Sequence, residues 1–99
     1  LVPRRTATSE ILHLPTEDQQ CLYTEITKVA EFLEEEFHPT KINIGVIGNI
    51  VPQLHVHIVS RKVNDPAWPD TVWGHSPQVG YRNAEASKII NKIIKNFTK

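Results

Sequence analysis

One stretch constrains this chain more than any other: Gln53-Leu54-His55-Val56-His57-Ile58-Val59-Ser60. Its strict alternation predicts a β-strand, with Leu54, Val56 and Ile58 on one face and Gln53, His55, His57 and Val59 on the other. The first set is core material. The second places two imidazoles and an amide in a row, with same-face neighbours roughly 7 Å apart along the strand. A stiff, β-branched strand holds such rings in place, which makes the row a platform for chemistry. Gly48-Asn49 offers a turn just before it, and Arg61-Lys62 follows it.

Such a strand needs a partner and a cover. Residues 41–47 predict the partner, apolar at Ile42, Ile44 and Val46. Asn43 and Gly45 share its other face, and so little bulk there points to something approaching the sheet closely. Gly48-Asn49 is expected to join the two strands in an antiparallel hairpin. Pro52 cannot donate to a ladder, which places it at the first strand residue or on an edge. The cover comes from upstream. Pro15-Thr16-Glu17-Asp18-Gln19 reads as a helix start, with Thr16 as the cap and Gln19 completing a capping box. Leu22, Ile26, Val29, Leu33 and Phe37 then recur at helical spacing, and Pro39 stops the helix at His38. Glu34, Glu35 and Glu36 do not share a helix face, so they read as solvated rather than as a metal patch.

The ends of the chain are less regular. Residues 1–5 form a strand-like piece whose Arg4 and Arg5 read as a solvated strand end in preference to a phosphate contact, and Ser9 to Leu12 offers a helical turn. After Lys62, three Pro (66, 69 and 77) and two Gly (74 and 80) exclude a long element. Trp68 and Trp73 in that loop need burial, against the sheet or a subunit interface in preference to a bound base. Asn83 is placed to cap a final helix striped with Ala86, Ile89, Ile90, Ile93, Ile94 and Phe97. Lys88, Lys92, Lys95 and Lys99 keep its other side wet.

At 99 residues this reads as one domain over 1–99. Eleven basic residues against eleven acidic ones argue against a nucleic-acid coat or a membrane-surface protein, since both need a basic excess. A phosphate-bearing small molecule stays open. Cys21 alone can make neither an internal disulfide nor a multi-thiolate zinc site, and a reducing, cytoplasmic setting is the default. No apolar run approaches the roughly 20 residues that span a bilayer. Leu1-Val2-Pro3-Arg4 reads as the end of a strand whose beginning is absent, so the expectation is a domain incomplete at its N-terminus.

Three chemistries fit His55 and His57. They can simply decorate a half-exposed sheet face, the usual fate of an isolated His-x-His. They can ligate zinc or iron, but that needs further ligands, and His75, Asp65 and Asp70 would serve only if the loop folded back. Or a neutral imidazole can attack phosphorus, given one fixed tautomer, donors for the phosphoryl oxygens and a proton for the leaving group.

The run from Gly48-Asn49-Ile50-Val51-Pro52 through Gln53-Leu54-His55-Val56-His57-Ile58-Val59, with Arg61-Lys62 and Trp68-Pro69 downstream, resembles the histidine-triad (HIT) family. Leu1-Val2-Pro3-Arg4 with Ser9-Glu10-Ile11 is similar to the strand and connector before that family's central helix. The resemblance covers residues 1 to about 74. It implies an α+β fold with an antiparallel sheet, a long helix between strands and a C-terminal helix, in a homodimer that binds nucleotides. It also implies cofactor-free transfer of a nucleoside monophosphate through a covalent phosphohistidine, as hydrolase or transferase. His55 then matches the nucleophile, His57 the residue that binds the phosphoryl oxygens, and Asn49 the amide that contacts phosphate, with Gly48 and Asn43 beside the substrate. The alternative is a non-catalytic nucleotide-binding or sensing module. Two departures stand out. Gln53 occupies the first triad position and cannot exchange a proton at neutral pH. Ile50 replaces a small hydroxyl residue. The expectation is that the family's first strands, which help form the base and ribose pocket, would lie upstream of Leu1.

Overall fold

The computed structural model describes residues 1–75 and 80–97; Pro77 and Lys99 of the patterns above lie outside them. Helix α1 (Thr16–Phe37) precedes strands β1 (Lys41–Gly45) and β2 (His57–Arg61), and helix α2 (Asn83–Phe97) ends the described chain. A 3-10 turn at Ile11–His13 stands near the helical turn expected at Ser9 to Leu12. The architecture is α+β, as expected, with an antiparallel β1–β2 pair in which Ile44 faces Ile58 and Gly45 faces His57.

Both strands are shorter than their sequence patterns. The physical reason is a change of partner along the central strand. Residues 54–56 fall outside β2 and bond to the N-terminal segment: the Leu54 N–H donates to the Thr8 carbonyl at 2.9 Å. Leu1 and Val56 exchange two bonds, the Val56 N–H to the Leu1 carbonyl at 2.8 Å and the Leu1 backbone nitrogen to the Val56 carbonyl at 2.8 Å. The tight hairpin expected at Gly48-Asn49 is therefore replaced by a longer connection over residues 46–56, in which Gly48 supplies a left-handed turn at φ 65°.

The alternation nonetheless sorts the faces. Leu54 and Val56 are buried and join Leu14 and Leu22 in the core, with Ile11, Ile26 and Ile58 packed around them. Helix α1 covers this side. Its start corrects the capping expectation: Pro15, not Thr16, holds the cap position, and no side chain caps the helix. Gln19 instead reaches back to the Leu14 carbonyl at 3.0 Å. The stop is as read, with His38 left-handed at φ 46° and its N–H returning to Glu34.

Helix α2 begins at Asn83, but its first turn bonds the Ala86 N–H to the Arg82 carbonyl, so Asn83 lies inside the turn and not at the cap. The helix is held by Phe97, edge-on to the buried Phe32 at 5.7 Å, and by Lys92 paired with Glu36. Much of its apolar stripe stays exposed, Ile90 and Ile94 by about half. Among the described residues no helix is long and apolar enough to cross a membrane.

The second face of the sheet is organised by Arg61, which is only 2% exposed. Its Nε and Nη2 donate to both Asp65 oxygens, at 2.7 and 3.1 Å. Nη1 donates to the Asn43 side-chain oxygen and Nη2 to the Asp70 carbonyl, each at 2.7 Å. Trp68 stacks 5.6 Å from the guanidinium. Asp65 also accepts the backbone N–H groups of Ala67 and Trp68 at 3.0 and 2.8 Å. One ion pair thus ties β1, β2 and the following loop together.

Two expectations follow for stability. Leu54→Ala removes a side chain that is 1% exposed and should lower the unfolding free energy by about 2–5 kcal/mol in urea titrations. The second concerns acid. Hydrogen bonding to Arg61, aided by the backbone donors, holds the Asp65 carboxyl far below the usual carboxylate range. A depressed folded-state value stabilises above the unfolded pKa, near 4, and the contribution fades as pH falls below it. Asp65→Asn should therefore lower the thermal midpoint at neutral pH, with the gap to the parent protein closing as pH drops below about 4.

Candidate active site

The period of two places His57, Val59 and Arg61 on one face of β2. Gln53, at a bend, and His55 lie before the strand begins, and the packing of their neighbours shows which way the imidazoles face. Leu54 and Val56 are locked into the core between the imidazoles, so His55 and His57 both project away from α1. Their rings meet edge-to-face, with centroids 5.0 Å apart and planes at 79°. Of the expected strand face, the two imidazoles are brought together as the alternation requires.

His55 is fixed by its own backbone neighbourhood. Its Nδ1 lies 2.7 Å from the Gln53 carbonyl oxygen. A carbonyl only accepts, so the Nδ1 of a neutral ring carries the hydrogen and Nε2 keeps its lone pair. That is the tautomer a nucleophilic imidazole needs. His57 is held differently. It stands between His55 and Trp73, the indole centroid 5.8 Å away at 70°.

Trp73 explains the small residues read in β1. A Cβ built on Gly45 would lie 2.7 Å from Cη2 and Cζ2 of the indole, a clash with a rigid ring. The close approach expected at Asn43 and Gly45 is thus the loop's own tryptophan, lying on the sheet. The turn carrying it is closed by the His75 N–H donating to the Val72 carbonyl at 3.1 Å, with Gly74 left-handed at φ 81°. A cavity of about 630 Å³ opens beside these groups, lined by His57, Val59, Arg61, Val72, Trp73 and His75.

The other sequence-nominated residues are spread around this centre. Gln53 is half-buried, and its Nε2 is buried without a hydrogen-bond partner among the described residues. Asn43 lies on the same sheet face with its amide oxygen bonded to Arg61. Gly48 and Asn49 sit in the 46–56 connection, Asn49 exposed, and Ile50 beside them is 94% exposed. Among the described residues no three His, Cys, Asp or Glu side chains gather as a metal site, and Asp65, once a conceivable ligand, is committed to Arg61.

Sequence reasoning missed what holds the loop down. Arg61 is in phase with His55 and His57, which is a readable sign that it shares their face. Asp65 stands four residues on and before a proline, a position suited to an Asx turn. Trp73 as the partner of Gly45 had no signal beyond the missing bulk in β1.

Comparison with known proteins agrees with this geometry. A family model described as HIT domain matches residues 1–64. A histidine triad protein from Bradyrhizobium japonicum superposes with a TM-score of 0.91 at 40% identity, over 96% of this chain and 71% of that one. A histidine triad protein from Sinorhizobium meliloti gives 0.90 at 38%, over 97% and 71%. One from Marinobacter aquaeolei gives 0.88 at 40%, over 96% and 69%. The bis(5'-nucleosyl)-tetraphosphatase (asymmetrical) of Schizosaccharomyces pombe is 32% identical over 78 residues, which are 74% of this chain. The matched region spans only 42% of that curated relative's length. With a family model matching residues 1–64, and histidine triad proteins of 38–40% identity superposing over nearly the whole chain, the protein belongs to the histidine triad (HIT) family.

Proposed function

We propose that this protein is a nucleotide hydrolase or nucleotidyl transferase that works at the α-phosphorus through a covalent phosphohistidine on His55. The observation that carries this reading is the 2.7 Å bond from His55 Nδ1 to the Gln53 carbonyl, because in the neutral ring it leaves the Nε2 lone pair free to attack. The tetraphosphatase relative supports a nucleotide with a phosphoanhydride bond as substrate; nucleoside phosphate esters and phosphoramidates belong to the same reading. A homodimer and a metal-independent reaction belong to the same reading.

In the first step Nε2 of His55 attacks the α-phosphorus, and the bond to the leaving group breaks with its electron pair going to that group. His57, with Asn49, Gly48 and Asn43 about the substrate, takes the phosphoryl oxygens as their charge grows. Gln53 can orient but not donate an acidic proton, so the leaving group takes its proton from water. In the second step water, or an acceptor hydroxyl in a transferase, attacks phosphorus. The P–N bond breaks, its electrons return to Nε2, and the attacking oxygen's proton passes to solvent.

The reading is checked by trapping the intermediate. Incubation with a nucleoside monophosphate ester of a good leaving group should yield an acid-labile adduct, absent in His55→Ala, whose half-exposed ring fills no core volume. His57→Ala should slow turnover about 10²–10³-fold, the usual effect of losing one donor to a developing oxyanion. Gln53→His should accelerate poor leaving groups more than good ones. Nucleotide binding without adduct or turnover for any leaving group would establish the binding module instead.

A further inference from the structure

We infer that Trp73 is the positioning residue for His57, and that Gly45 is the seat built for it. This rests on the phosphoryl-transfer reading only for what His57 does; the positioning itself is a property of the free protein. The two imidazoles are held by unlike means. His55 is pinned by a hydrogen bond to the main chain. Among the described residues no hydrogen bond holds the His57 ring, and its orientation rests on packing between His55 at 5.0 Å and Trp73 at 5.8 Å. The His55 side of that clamp is fixed, so the indole is the adjustable jaw.

The indole itself is located from three directions. Below it, Gly45 offers a hollow that even one methyl group would fill, since a Cβ would stand 2.7 Å from two indole carbons. Gly45 is also the register partner of His57, so the hollow lies directly beside the ring being positioned. Upstream, the loop is anchored through Asp65 and the Asp70 carbonyl on the buried Arg61. Downstream, the turn from Val72 to His75 closes on itself. A residue that binds phosphoryl oxygens must present one nitrogen in a narrow range of directions, and an edge-to-face aromatic contact supplies that restriction.

The test combines a motional and a kinetic measurement on Trp73→Leu, Trp73→Phe, Gly45→Ala and the Gly45→Ala/Trp73→Leu double variant. The motional arm is the ¹³C relaxation order parameter of the His57 ring in the ligand-free protein. It should fall in Trp73→Leu and Gly45→Ala, recover in Trp73→Phe, and stay unchanged for His55 throughout. With a nucleoside monophosphate ester, Trp73→Leu should lower kcat about 2- to 10-fold, the worth of one aromatic pair, and leave KM within about twofold. Because Gly45 acts through the indole, the double variant should be no worse than Trp73→Leu alone. An unchanged His57 order parameter overturns the inference. So does a raised KM at constant kcat, which would make Trp73 a substrate contact, and so does an additive double variant. If the parent protein turns over no nucleotide, the functional reading fails while the relaxation arm still decides the positioning.

Discussion

A single buried guanidinium organises the side of the sheet where the chemistry is read. Arg61 leaves β2 in phase with the imidazoles and is met by Asp65, the Asn43 amide and the Asp70 carbonyl. A lysine could not take its place, because one ammonium cannot form the paired contact to a carboxylate and at the same time reach two further acceptors in one plane. The charge of each partner depends on the other: Asp65 raises the affinity of Arg61 for its proton, and Arg61 depresses that of Asp65. The Asx turn at Asp65 folds the chain back, so that an otherwise irregular stretch rich in proline lies on the sheet.

This arrangement gives the candidate site a layered logic. The core side is apolar and ordinary, with Leu54 and Val56 setting the pitch of the strand. The opposite side is built from contacts that are directional: an ion pair at one end, a main-chain hydrogen bond at the other, and aromatic edges between them. Each imidazole therefore inherits its orientation from a different kind of force. The hydrogen bond on His55 selects a proton position as well as a direction, whereas packing on His57 selects direction alone.

Much of this was legible in the sequence, for reasons that also explain what was not. The period of two assigned faces correctly from Leu54 through Ile58, because burial of alternate residues is a local property of an extended chain. Strand ends were misjudged because they depend on which neighbour supplies the next hydrogen bond, and the partner of Leu54 and Val56 lies some fifty residues away in the N-terminal segment. The stripe of α1 was readable, yet Phe32 was overlooked; its burial against Phe97 comes from α2 and is a tertiary fact. Thr16 and Asn83 looked like caps from residue type alone, but cap position is settled by where the first helical bond falls. Gly45 announced a close approach without saying by what, since a missing side chain records the shape of its neighbour and not its identity.

The bond on His55 carries a consequence for how the site can vary. Its acceptor is the main-chain oxygen of residue 53, a group that every amino acid carries. Replacing the side chain at 53 therefore leaves the proton of His55 where it is. On the proposed phosphoryl-transfer reading residue 53 has two physically separable duties: its main chain fixes a tautomer whatever side chain it carries, and only its side chain, turned to the leaving group, is open to drift. Under that same proposed reading, the glutamine at position 53 touches one duty alone, and leaving-group chemistry can vary while the main-chain bond on His55 stays in place.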